Sequence, residues 1–280
     1  FKSVRIDLNS DFQQNGFLHF EFLILHFTYM DVRTVKAMRY VTPLREGGSL
    51  PAIVEGDDDG LYVLKFRGAG QGVKALIAEL IGGEIGRALG LKVPEIVFVQ
   101  LDAVLARTEP DPEIQDLIRA SAGLNLALDY LPGSVMYDPL IERPGEELAS
   151  QIVWFDAFTA NVDRTPRNAN MLLWHKEIWL IDHGACLFYQ HNPAKFPENA
   201  KNPFAQIKDH ILLPFASHIE RADAQLHALL TPEVLGEIVG LIPGEWLEEA
   251  GIEREIYLEF LKRRMESPRK FVEEALNAGR

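Results

Sequence analysis

The stretch Asn161-Val162-Asp163-Arg164-Thr165-Pro166-Arg167-Asn168-Ala169-Asn170-Met171-Leu172-Leu173, with Trp179-Leu180-Ile181-Asp182-His183-Gly184 shortly after it, decides how this chain is read. A polar loop runs into an apolar segment, Met171 to His175. Lys176 and Glu177 fall where a two-residue turn would sit, and Ile178 to Ile181 is apolar again. This is the pattern of a β-hairpin. Folding it back sets Asn170 opposite Asp182, within one residue of register, with Asp163 upstream in the loop. Two carboxylates and an amide oxygen then meet at one hairpin mouth. Such hard oxygen donors suit Mg²⁺ on a nucleotide and can orient an attacking hydroxyl.

Working outward, residues 35–131 read as a β-rich lobe and residues 132–280 as a helical one, an α+β chain on a two-lobed, protein-kinase-like plan. Tyr62 to Phe66 alternates and is rich in β-formers, and Asp57-Asp58-Asp59-Gly60 before it is a turn signal. With Ala52 to Glu55 it makes a hairpin. Val73 to Leu89 carries Leu76, Leu80, Ile81 and Ile85 at helical spacing, and Gly90 ends it. Leu124 to Leu131 is a further strand, and Pro132-Gly133-Ser134 is the expected hinge. Glu146 to Ala160 is a helix leading straight into the Asp163 loop. Thr231-Pro232 reads as a capped helix start, with further helices near Ile252 and Pro268.

On this plan Val63 and Lys65 share one strand face while Tyr62, Leu64 and Phe66 share the core face. Val63 is then expected against the nucleotide base and Lys65 on the phosphates. Glu79, in the middle of the following helix, is the expected partner of Lys65, with Glu84 as competitor. Arg45-Glu46-Gly47-Gly48-Ser49-Leu50-Pro51 offers Ser49 and backbone N–H groups as a phosphate cradle or is an ordinary turn. Asp129, Tyr130 and Leu131 are expected to present backbone groups to the base. Arg164 and Arg167 flank the loop, either neutralising a transferred phosphate or as solvated surface cations.

The order Asp, Asn, strand, turn, strand, Asp-x-Gly resembles the HipA-like kinases and, more distantly, the phosphoinositide kinases. Leu89-Gly90-Leu91-Lys92-Val93-Pro94-Glu95 after the Glu79 helix is similar to the same family. The resemblance implies ATP and Mg²⁺ as cofactors, with Asp163 as the catalytic acid–base group and Asn and Asp182 as metal ligands. It implies a protein Ser/Thr hydroxyl as acceptor; a small-molecule hydroxyl stays open. Family spacing points to Asn168 for the metal, whereas the hairpin favours Asn170, which abuts the strand. A nucleotide-binding pseudokinase, or a nucleotidyltransferase on the same fold, is the alternative reading.

Composition narrows the classes. The chain has 280 residues, 47% of them hydrophobic, and a net charge of −13. That balance disfavours non-specific nucleic-acid binding, whose affinity rests largely on phosphate neutralisation. Cys186 is the one cysteine, so no internal disulfide forms, and a cytoplasmic setting fits. Residues 1–34 are expected to be an N-terminal extension, with residues 1–29 either lying upstream of the natural start or forming an accessory strand pair. Its apolar part, Gly16 to Tyr29, is too short for a membrane span and is a poor signal peptide.

Overall fold

Apolar side chains turned inward from five strands close the first half of the chain into a barrel. In the computed structural model, which describes residues 31–44, 50–70 and 72–279, the strands are β1 (Thr34–Pro43), β2 (Ala52–Gly56), β3 (Leu61–Lys65), β4 (Ile96–Leu101) and β5 (Gly123–Asp129). Residues from Val32 onward form one unit by contact. The barrel order is β1-β2-β3-β5-β4, closed by parallel pairing of β1 with β4. Inward residues Val54, Tyr62, Leu64, Val97, Val99 and Ala127 share one core. Helix α2 (Pro112–Ala120) adds Ile114 and Ile118 to it. Pro112 at the helix start and the Asp111 carboxylate accepting from Glu113 N–H fix where α2 begins.

Helix α1 (Val73–Ala88) leaves β3 after a short glycine-rich turn and stops as expected, with Gly90 at φ 78°. Three of its residues are glycines, which weaken a helix by about 1 kcal/mol each relative to alanine. Two of them permit close packing. A Cβ on Gly82 would lie 2.9 Å from both His183 Cβ and Cys186 Sγ, and one on Gly83 would lie 2.4 Å from Ile96 Cδ1. Gly82 therefore lets α1 press against the segment that follows Asp182, and Gly83 lets it press against the start of β4.

Helix α3 (Glu146–Thr159) is apolar nearly all round, as a helix central to a core must be. Its Trp154, Phe155 and Phe158 are fully buried. It ends at Ala160 in the left-handed conformation (φ 53°), which turns the chain into the Asp163 loop. A small sheet follows: β6 (Val135–Met136), β7 (Met171–Trp174) and β8 (Glu177–Leu180), in that order. Beyond it lie α4 (Ile219–His227), α5 (Pro232–Gly240), α6 (Gly244–Ala250), α7 (Arg254–Met265) and α8 (Lys270–Ala278). Thr231 caps α5 as its sequence suggests, accepting from Val234 N–H. Helix α6 is tied to the barrel through Trp246, whose indole N–H donates to Leu124 C=O at 3.3 Å, and through Arg67, which pairs with Glu249.

The α+β class holds. The hairpin holds too, with one correction: its turn is His175-Lys176, not Lys176-Glu177. Both residues have positive φ (50° and 65°), the conformation a two-residue type I′ turn demands. Met171 therefore pairs with Leu180, and Asn170 faces Ile181 rather than Asp182. Residues 1–30 and 45–49 lie outside the described residues, and with them most of the expected N-terminal extension and the Ser49 loop.

Candidate active site

Strand β3, helix α1 and the end of β8 bring three charges together. Lys65 Nζ stands 3.3 Å from Glu79 Oε2 and also donates to Asp182 Oδ1. The alternation of β3 explains the first placement. Tyr62, Leu64 and Phe66 are buried in the barrel, which turns Val63 and Lys65 to the other face. The Glu79 side chain is 2% exposed, that of Lys65 12% and that of Asp182 40%, so the cluster opens to solvent at Asp182.

Burial works against the Glu79 charge, but Lys65 and then His183 outweigh it and hold the carboxyl at about 2. Burial likewise opposes the Lys65 charge, and Glu79 and Asp182 keep it above the ordinary ammonium range. Glu79 Oε1 also accepts the His183 backbone N–H at 3.0 Å. The His183 ring is buried edge-on to Phe155; its Nδ1 is 3.4 Å from Glu79 Oε1 but is not aligned for a hydrogen bond. Glu84 is held instead by Arg87 at 3.5 Å, and burial raises its pKa. Of the two helix glutamates, Glu79 is the one on Lys65.

The Asp163 loop is folded around its own side chains. Asp163 N–H donates to Asn161 Oδ1 at 3.1 Å, an Asx-type turn. Thr165 and Asn168 exchange two backbone hydrogen bonds of 3.0 Å, leaving Pro166 and Arg167 at the tip. Asn168 Nδ2 donates to Asp163 Oδ2 at 2.8 Å, and Asn170 Nδ2 to the same oxygen at 3.2 Å. Asp163 Oδ1 has no hydrogen-bond partner among the described residues. Asn170 and Asp182 flank the hairpin mouth, both left-handed (φ 48° and 58°), a conformation that Asn and Asp tolerate best among non-glycine residues.

Arg164 corrects the sequence reading. It is not a solvated surface cation but is 1% exposed. Its Nε donates to Asp156 Oδ2 at 2.5 Å, and its Nη1 donates to Asn170 C=O. Asp156, from α3, also accepts from Asn161 Nδ2 at 2.8 Å and from His210 Nε2 at 2.8 Å. His210 Nδ1 accepts from Leu212 N–H, so the proton of a neutral ring sits on Nε2. Burial alone would raise the Asp156 pKa; Arg164 and His210 bring it down to about 2. This buried hub joins the Asp163 loop to the hairpin and to the segment around His210. Asp156 and His210 are 54 residues apart, and no local motif marks them as partners.

At the end of β5, Asp129 N–H donates to Glu95 C=O and Tyr130 N–H to Leu61 C=O. These two groups are engaged within the barrel, which leaves the Leu131 N–H without a backbone partner among the described residues. Cys186 is a buried core residue whose thiol is pushed well above its usual range by burial.

As a metal site the donor set is one carboxylate and one or two amides. No group of three or more His, Cys, Asp or Glu side chains gathers to hold a metal among the described residues. Oxygen donors of this kind fit Mg²⁺, which prefers few protein ligands and completes its shell with water and phosphate.

A lysine on a barrel strand, locked to a helix glutamate and facing a carboxylate at a hairpin mouth, defines a kinase-like protein. The chain belongs to the HipA-like kinase family, whose model matches residues 38–271. Among solved structures it is similar to the Helicobacter pylori proinflammatory kinase CtkA, at 14% identity and a TM-score of 0.51, over 89% of this chain and 99% of that one. It also matches a Golgi casein kinase at 10% identity and a TM-score of 0.46, over 95% of this chain and 76% of the other. A structure of the Golgi casein kinase with Mn/ADP bound matches at the same identity and TM-score, over 91% and 75%. No curated protein matches the sequence. No helix among the described residues is long and apolar enough to cross a membrane.

Proposed function

We propose that the chain is an ATP- and Mg²⁺-dependent phosphotransferase that phosphorylates a protein Ser/Thr hydroxyl. The observation that carries this reading is the Lys65–Glu79–Asp182 cluster at the end of the hairpin, with Asp163, whose Oδ1 has no hydrogen-bond partner among the described residues, in the loop that leads into the same hairpin. Nucleotide lies between the barrel and the helical part, with Val63 and the Asp129–Leu131 segment at the base and Lys65 on the phosphates.

Asp182 and Asn168 are the proposed metal ligands. Both amides donate to Asp163 Oδ2, but Asn170 is 3% exposed whereas Asn168 is part-exposed, which favours Asn168 for the ligand. Mg²⁺, when bound, supplies charge neutralisation on the phosphates. Lys65 adds a second positive charge there, and Glu79 fixes its position. Asp163 Oδ1 accepts the proton of the acceptor hydroxyl. The hydroxyl oxygen forms a bond to the γ-phosphorus, the bond from that phosphorus to the bridging oxygen breaks, and ADP leaves with the electron pair. Positioning and electrostatics account for most of the acceleration in such a site.

Thermal melting of the protein with ATP and Mg²⁺, together and separately, tests the nucleotide half of the reading. A ligand that binds only the folded state raises Tm. Both together are expected to raise it more than either alone; no shift at millimolar concentrations would remove the reading.

A further inference from the structure

We infer that the pocket beside the tip of the Asp163 loop is the seat of the acceptor segment, and that it selects a protein segment carrying an acidic residue near the hydroxyl. The inference rests on the phosphotransferase reading above and names its substrate class.

The pocket holds about 410 Å³ and is lined by Pro166, Lys208, Asp209, Ile211, Leu213 and Pro214, with the end of α8 alongside. Pro166 belongs to the tip that the Thr165–Asn168 backbone pairing creates, three residues after Asp163. The pocket wall is fastened to that loop. Ile211 N–H donates to Arg164 C=O at 3.1 Å, and His210 joins Arg164 on the same Asp156 carboxylate. Wall and catalytic loop therefore share one buried anchor, and a segment seated in the pocket is held at a fixed distance from Asp163.

Chemistry selects the occupant. Pro166, Ile211, Leu213 and Pro214 offer an apolar lining for one side chain. Lys208 stands on the rim and Arg167 on the tip; both are exposed and neither has an ion-pair partner among the described residues. In this acidic chain that is unusual for an arginine. Every described arginine except Arg107 and Arg167 has a hydrogen bond or ion pair within the described residues. Lys208 and Asp209 are the charged pair in the lining, and Arg167, next to Pro166 at the exposed tip, adds a cation with no ion-pair partner among the described residues. A peptide with an apolar residue and a nearby Asp or Glu matches both features, whereas a basic peptide would meet Arg167 and Lys208 unpaired.

The test compares the full chain with its Arg167→Glu/Lys208→Glu double variant on matched Ser-containing peptides with acidic or basic flanks. Binding is read by fluorescence anisotropy and transfer by initial rates. Wild type is expected to prefer the acidic peptide. The charge reversal is expected to raise KM for it about tenfold, equivalent to roughly 1.4 kcal/mol, to improve the basic peptide, and to leave KM for ATP unchanged. The same acidic-to-basic ratio in both proteins, or a basic preference in wild type, overturns the inference. Charge-dependent peptide binding without any phosphoryl transfer would instead overturn the phosphotransferase reading and leave the pocket standing.

Discussion

The Lys65 ammonium stands 3.3 Å from Glu79 Oε2, and water reaches little of either side chain. A pair this buried is costly to break from one side, because the remaining charge loses its partner but not its burial. Glu79→Gln keeps an oxygen for the His183 N–H yet removes the charge. It is expected to destabilise the fold by about 3 kcal/mol and to lower turnover on the order of 10²-fold, since Lys65 is then held by the Asp182 charge alone. Urea denaturation and ATP turnover on one preparation check both. Unchanged turnover would show that Lys65 needs no anchor.

Asp163→Asn and Asp182→Asn are expected to fail differently. The first keeps MgATP affinity but loses about 10²–10⁴-fold in transfer, the usual size of a lost acid–base group. The second weakens the metal–nucleotide complex itself, and its defect is partly relieved by raising Mg²⁺. Titration calorimetry beside initial rates separates them. Equal loss of affinity in both variants would contradict the division of roles.

Asn168→Ala and Asn170→Ala test which amide holds the metal. Asn168→Ala is expected to raise the Mg²⁺ requirement with little change in stability. Asn170→Ala removes a buried amide and is expected to lower stability by about 1–3 kcal/mol. The reverse pattern would return the ligand role to Asn170.

Gly82→Ala probes how closely α1 must approach the Asp182 segment. Its Cβ would lie 2.9 Å from His183 Cβ and Cys186 Sγ, so the segment has to move. Overpacking of this kind costs about 1–3 kcal/mol, and the displacement is expected to lower turnover more than MgATP affinity. Wild-type kinetics in a less stable protein would separate the packing from the site.

Acid is expected to undo the hub around Asp156. Its carboxyl ionises at about 2 in the fold against an ordinary value of 3.8. A depressed folded value means the stabilisation is complete above 3.8 and is lost as pH falls toward 2. Glu79, held at about 2 against 4.5, acts in the same direction. Asp156→Asn leaves Arg164 buried without a counter-charge. It is expected to cost about 3–5 kcal/mol at neutral pH and to flatten the acid limb of the stability curve. An unchanged acid limb, followed by circular dichroism, would show that Asp156 carries none of it.

Much of this was legible in the chain because the signals are local. Period-two alternation places Lys65 opposite Tyr62, Leu64 and Phe66, and helical spacing places Glu79 on the face that meets it. Side-chain polarity points to Lys176-Glu177 for the hairpin turn, whereas the backbone selects two left-handed residues at His175-Lys176. Arg164 reads as a phosphate-neutralising or solvated cation because its partner Asp156, eight residues upstream, is buried inside α3, and His210, which shares that carboxylate, comes from a distant irregular segment. Barrel closure was hidden for the same reason: the parallel pairing of β1 with β4 joins segments some sixty residues apart and leaves no periodic trace. Helices α4 and α6 have no strong start signal in sequence; His218 and Pro243 precede them without a side-chain cap.

The most direct measurement is intact-mass and peptide-level mass spectrometry of the protein and an added acceptor after incubation with ATP and Mg²⁺, for wild type and Asp163→Asn. The expected result is a phosphoryl increment on a Ser or Thr with wild type and its near absence with Asp163→Asn, although both proteins bind MgATP. An adenylyl increment, or equal labelling by the two proteins, would contradict the assignment of Asp163 and the phosphotransferase function built on it.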